Sequence, residues 1–254
     1  MRCSARGDAA VSQSPISAIH PVSTLLAAKR ARPLTMLATR SPRFCTRNLA
    51  KSSLRAAQPS HAIWVCSAWR GLRSSRGGHI ISNKAEHHAV LNAVEHLEDR
   101  EGFEVTWLNV SKSGMVDLDQ LADSIRPDTK LVSIMTANNE TGVVQPMREI
   151  SRICRERGVL LHSDIVQAFG KLDIDVSLVD AGSFAAHKFY GPKGTGFLFL
   201  RSGLPIQPLM FGGAHENQRR PGTENVAGVA GMAAAAEWVL RDADAEKTTP
   251  SAIA

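Results

Sequence analysis

Leu131-Val132-Ser133-Ile134-Met135, then Pro146 ahead of Ile150, Ile153 and Cys154, then Gly158 and Val159-Leu160-Leu161-His162-Ser163-Asp164: this stretch decides the fold. The two apolar runs are too short for helices and read as buried strands. Between them, apolar residues recur at helical spacing, opened by proline and closed by glycine. Strand, helix, strand is the unit of a parallel sheet.

Working outward, the same alternation continues. His79-Ile80-Ile81-Ser82 reads as a strand. Ala89, Val90, Ala93, Val94 and Leu97 form a helical stripe through residues 88–100, which Gly102 ends. Phe103–Leu108 is a strand. Asp117 caps a helix carrying Leu118, Leu121 and Ile125, which stops before Pro127. Ala181–Ala185 and Thr195–Leu200 are further strands, and Glu224–Leu240 is an Ala-rich helix. The expected fold class is α/β, a mostly parallel sheet sandwiched by helices. In such sheets ligands bind beyond the carboxyl ends of the strands. His87, Asn138, Asn139, Asp164, His187 and Lys188 all fall there.

Composition exposes a fault line. Residues 1–78 hold eleven Arg and two Lys against one acid, Asp8, while residues 79–254 hold seventeen basic and twenty-three acidic groups. The overall charge of +6 therefore hides an acidic second part, and no nucleic-acid partner is expected. No run of 18 apolar residues indicates a membrane span. Cys3, Cys45, Cys66 and Cys154 form no CxxC pair or metal-ligand spacing, so no metal is expected and a reducing compartment fits. Residues 1–78 are Arg- and Ser-rich with no sustained period. They read either as a transit peptide or as a stretch never selected to fold, such as a misread gene start. The abrupt onset of pattern at His79 favours the second. Three segments are expected: 1–78 without stable structure, 79–240 as part of a large domain, and 241–254 as a disordered tail. The location expected is cytoplasmic, or mitochondrial if residues 1–50 are a transit peptide.

Asp164 lies 24 residues before Lys188, each after an apolar run. A lysine amine can hold an aldehyde cofactor as a Schiff base, and a carboxylate can keep a pyridine nitrogen protonated; the pair points to pyridoxal 5'-phosphate. Each residue has a plainer alternative. Asp164 could cap a helix, and His187-Lys188 could be a solvated turn. Asn138, Asn139 and Thr141 could build an Asx turn before Gly142. His87 and His88, adjacent on a helix, point about 100° apart and make a poor metal pair. His162-Ser163-Asp164 has the residue types of a triad, but contiguity does not make one. Gly191–Gly196 lacks the order of a phosphate loop.

Together the motifs resemble a known family. Glu86-His87-His88-Ala89-Val90, Ala137-Asn138-Asn139-Glu140-Thr141-Gly142, His162-Ser163-Asp164 with Gln167, His187-Lys188-Phe189-Tyr190-Gly191-Pro192-Lys193-Gly194 and Arg220-Pro221-Gly222-Thr223-Glu224-Asn225 resemble the class V aminotransferase group of pyridoxal phosphate enzymes. Within it they most resemble cysteine desulfurases, with selenocysteine lyase a near relative. The resemblance implies that Lys188 is the Schiff-base lysine, preferred over Lys193, and that Asp164 pairs with the ring nitrogen. It implies that His87 stacks on the ring and helps move protons. Asn139 and Gln167 would bond the region of the ring oxygen, and His187 the phosphate. Thr223 would reach the phosphate of a neighbouring subunit, which implies a homodimer. The implied reaction takes L-cysteine to L-alanine and passes sulfur to an acceptor protein, as in iron–sulfur cluster biogenesis; L-selenocysteine is the alternative substrate. A non-catalytic fragment is the other alternative. Departures are clear too. Residues 1–78 show no phosphate-cradling loop, Ala185 replaces a serine, and the chain ends before the region that carries the family's catalytic cysteine and substrate-binding arginine. The chain as written is expected to be inactive for that reason.

Overall fold

The computed structural model describes residues 77–204, 211–213, 215 and 221–248. The expectations for residues 1–76, for Arg220 and for residues 249–254 lie outside the described residues. Six strands form one sheet: β1 (Gly78–Asn83), β2 (Phe103–Leu108), β3 (Thr129–Ser133), β4 (Leu160–Asp164), β5 (Ala181–Ala185) and β6 (Gly196–Leu200). Their order is β2-β1-β3-β4-β5-β6; all neighbours are parallel except β6, which runs antiparallel to β5. The helices are α1 (His88–Glu101), α2 (Leu118–Ser124), α3 (Met147–Glu156) and α4 (Val226–Thr248).

Alternation along the strands divides the core in two. Ile80, Leu131, Ala181, Leu198 and Leu200 pack with Val90, Ala93, Val94 and Leu97 of α1. Their neighbours Ile81, Val132, Leu161, Phe197 and Phe199 turn the other way. They meet Leu121 of α2, Ile150, Ile153 and Cys154 of α3, and Met232, Ala236 and Val239 of α4. The sheet is thus covered on both faces, as continuous apolar strands require. Phe169, Phe184, Phe189 and Phe197 form an aromatic knot under β5, with Phe184 stacked on Phe197 at 4.2 Å.

Several boundaries differ from the expected ones. β3 begins at Thr129, because its Oγ1 bonds His79 Nδ1 across the β1–β3 pair at 2.8 Å. Ile134 and Thr136 lie beyond the strand but still donate to the carbonyls of His162 and Asp164, at 3.2 and 2.9 Å. β4 ends at Asp164, as expected, and starts at Leu160 rather than Val159. Helix α4 continues to Thr248, where the sequence reading expects a disordered tail from residue 241. Residues 241–248 hold Asp, Ala, Glu, Lys and Arg and no helix breaker, so nothing stops the helix at Leu240. Cys154 is buried on α3, as expected, and burial pushes its thiol up to about 12.

Phe184→Ala should cost about 3–5 kcal/mol, because Phe184 is fully buried between Phe169 and Phe197. Urea unfolding would read it; a loss below about 1 kcal/mol would mean that β5 is not anchored by this knot.

Candidate active site

The carboxyl ends of β1, β3, β4 and β5 open onto one pocket on the α1 face of the sheet. His87, Ala89, Met135, Asn139, Asp164, Val166, Gln167, Ala185, His187 and Lys188 line it. Six of the seven residues singled out from the sequence therefore meet. The seventh, Thr223, is exposed on the segment before α4 and is not in this pocket. A larger groove, of about 390 Å³, runs past Gln145–Glu149 and Leu172–Val179 and gathers none of the seven.

Each side chain has a local cause. His87 is the N-cap of α1, its Nδ1 accepting from Ala89 N–H at 3.1 Å. In the neutral ring the proton therefore sits on Nε2. Asp164 closes β4 and is 7% exposed. Its Oδ1 accepts from Val166 N–H at 2.9 Å, a cap-like bond, so the structural role weighed from sequence coexists with a place in the pocket. Burial raises its pKa and so favours the protonated carboxyl; the Val166 bond and then His87 pull it back.

Lys188 is held by a tight loop. Phe189 N–H and Gly191 N–H both donate to Ala186 O, at 3.0 and 2.8 Å. A Cβ on Gly191 would lie 2.8 Å from Ala186 Cβ, so glycine is needed for this closure. Phe189, buried against Phe169 at 4.7 Å, anchors the loop while Lys188 stays outside. Tyr190 takes φ 65°, a left-handed conformation rare for a bulky residue. Its ring meets Trp238 of α4 edge-on at 5.1 Å. Lys193 is not in the pocket. His187 is depressed by burial and then by Lys188 and Lys193, which favours its neutral form. Gln167 Oε1 accepts from Lys171 Nζ at 2.9 Å.

The two asparagines separate. Asn138 Oδ1 accepts from Glu140 and Thr141 N–H at 2.9 and 2.8 Å, and its Nδ2 donates to Ala85 O at 2.8 Å. It builds the Asx turn that ends at Gly142, φ 73°. Asn139 is left to face the pocket. No triad forms at His162. Its ring bonds Ser133 Oγ and Ser183 Oγ, at 2.8 and 2.9 Å, while Ser163 Oγ pairs with Thr136 Oγ1 on the other face. Burial drives His162 down to about 3, so it is neutral. Sequence reasoning passed over Glu86, buried one residue before His87 with Oε1 accepting from Met135 N–H at 2.6 Å. Its sequence signals are an acid just after an apolar strand and its place at the head of the first motif, to which no role was given. Among the described residues no group of three or more His, Cys, Asp or Glu could hold a metal ion, and no helix is long and apolar enough to cross a membrane.

The donor set fits pyridoxal phosphate. One pocket supplies an amine (Lys188), a buried carboxyl (Asp164), a flat ring (His87) and an amide (Asn139). Ala89, Met135, Val166 and Ala185 add apolar contact. Comparisons with known proteins identify the family. The family model for aminotransferase class-V matches residues 61–252. The chain is 49% identical over 175 residues to the cysteine desulfurase IscS of Dictyoglomus turgidum, covering 68% of this chain and 44% of that protein. A solved NifS-like protein superposes with TM-score 0.77 at 35% identity, covering 88% of this chain and 60% of that one. A solved SspA in complex with cysteine gives TM-score 0.70 at 32% identity, with 83% and 62% covered. The chain spans less than half the length of the curated relatives it matches.

Asn138→Ala should cost about 1–3 kcal/mol, since it strips two N–H groups of the turn and Ala85 O of their partner. Asn139→Ala, at an exposed position, should stay within about 0.5 kcal/mol. Paired urea melts check this; equal losses would contradict the division of labour.

Proposed function

The chain belongs to the class V aminotransferase family, and we propose that it forms the pyridoxal phosphate-binding part of a cysteine desulfurase that takes L-cysteine to L-alanine and hands sulfur to an acceptor protein. The observation that carries this reading is the convergence of Lys188, Asp164 and His87 in one pocket from three separate strand ends. The names of the relatives favour cysteine over selenocysteine as substrate. Bound pyridoxal phosphate supplies an electron sink for bonds broken at the substrate α-carbon.

The chain's own residues do the rest. Lys188 would hold the cofactor aldehyde through its Nζ. Asp164, fixed by Val166 N–H, would pair with the ring nitrogen and keep it protonated. His87, its Nδ1 engaged with the α1 backbone, presents the ring face and Nε2, where a proton can be held or passed. Asn139 and Gln167 orient the ring oxygen side. His187, on the turn beside Lys188, serves the phosphate side. Thr223, exposed outside the pocket, reaches the phosphate site of a second copy in a homodimer. Ala89, Met135, Val166 and Ala185 give the pocket apolar walls that limit water beside the reacting groups.

Incubating the protein with pyridoxal phosphate, reducing with borohydride and mapping peptides should label Lys188. Lys188→Ala should abolish the label. In the full-length enzyme, Asp164→Asn should keep the label but slow alanine and sulfide formation from L-cysteine about 10²-fold or more, on the scale of one lost general acid–base group. A label on Lys193, or near-normal turnover by Asp164→Asn, would overturn these roles.

A further inference from the structure

Glu86 is an acid where a carboxylate is unwelcome. It is 6% exposed, on the loop that joins β1 to α1, immediately before His87. Its Oε1 accepts from Met135 N–H at 2.6 Å and from Asn83 Nδ2 at 3.2 Å. Its Oε2 is buried with no hydrogen-bond partner among the described residues. Such an atom is tolerable on a neutral acid and very costly on a charged one. Among the described residues no cation offsets it. Lys84, on the same loop, pairs with Glu95 at 2.9 Å and lies over the Trp107 ring at 3.7 Å. The charged group that acts on Glu86 is Asp164 of β4, and it repels.

Burial lifts Glu86 from its ordinary 4.5 to about 8; the Met135 bond opposes this, Asp164 adds to it, and Asn83 opposes it again. Two carboxyls that repel each other cannot both ionise cheaply, and the proton goes to the one with fewer compensations. Asp164 has the Val166 N–H and the attraction of His87, and it lines the pocket. Glu86 has neither a cation nor solvent.

We propose that Glu86 is a positioning residue of this site: as an uncharged acid it ties the His87 loop to the end of β3 and leaves the negative charge of the pair to Asp164. The proposal rests on the reading of Asp164 as the carboxylate that faces the cofactor ring, yet its first two tests need no cofactor.

Glutamine at position 86 keeps the accepting oxygen and lacks the charge. At neutral pH, the infrared difference between cofactor-free wild type and Glu86→Gln should show the carbonyl stretch of a protonated carboxyl. A carboxylate stretch in its place overturns the proposal. Because the folded value lies above the ordinary one, the stability due to the acid form is full below about 4.5 and is lost as pH rises through 8. Wild type should therefore lose melting temperature relative to Glu86→Gln across that window; parallel curves overturn the proposal.

The third test reads pyridoxal phosphate affinity and absorbance. Glu86→Gln should stay within about threefold of wild type. Glu86→Ala, which strips Met135 N–H and Asn83 of their acceptor, should weaken binding about tenfold or more. Equal weakening by both variants overturns the uncharged role. If wild type itself fails to take up pyridoxal phosphate, the proposed function falls while the infrared and melting results still decide the state of Glu86.

Discussion

The site depends on the registration of β3, β4 and β5, and a buried imidazole holds that registration. His162 spans the three strands, its two nitrogens bonded to Ser133 of β3 and Ser183 of β5. Backbone pairing sets Ser133 level with His162 and Asp164 level with Ser183. Side chains alternate along a strand, so a slip of one residue would turn Asp164 to the opposite face and away from Lys188. The bridge works because it is neutral. Burial makes the imidazolium unfavourable, and both ring nitrogens are satisfied, so three polar side chains sit in an apolar core at little cost.

Two further ties bring the fourth element in. Asn138 Nδ2 reaches Ala85 O, and Glu86 Oε1 takes Met135 N–H. Both join the loop that carries His87 to the segment after β3. His87 belongs to a helix whose apolar stripe is fixed on the sheet by Val90, Ala93, Val94 and Leu97. Its position over the pocket thus follows from packing behind it and two polar ties beside it. Lys188 is placed differently. It sits on a short loop pinned by Phe189 below and by the Ala186 carbonyl within, with the uncommon backbone of Tyr190 directly after.

Most of this was legible in the sequence, for a physical reason. The strands are apolar runs, the helices carry one apolar face, and glycine or proline stands at their ends, so period and punctuation agree. Strand-end positions of His87, Asn139, Asp164, His187 and Lys188 then follow from the rule that parallel sheets bind ligands at one edge. What stayed hidden was decided by contacts between distant residues. Nothing in Asn138-Asn139 says which side chain closes the turn and which faces the pocket; the reach to Ala85 decides it. The early start of β3 comes from the Thr129–His79 bond across 50 residues. Glu86 looks like a surface acid beside Lys84 until the fold buries it. The extra length of α4 is a simpler miss, since Asp and Lys mark a solvated helix as readily as a tail.

Reaction class and substrate choice reside in different residues. In the proposed function, Lys188, Asp164 and His87 act on the ring side of the cofactor: one holds it, one sets its charge, one moves protons beside it. These are needs of pyridoxal phosphate chemistry at an amino acid's α-carbon in general. They say nothing about a thiol. A sulfur atom must be met by groups that touch the substrate side chain, and none of the seven candidate residues has that place. Cysteine enters through the relatives, the IscS desulfurase and the cysteine-bound SspA. Residues 87–188 thus hold the general part of the chemistry, and they do so because one sheet edge gathers four strand ends. Specificity in such a design is free to change with the walls of the pocket while the charge arrangement beneath it stays fixed.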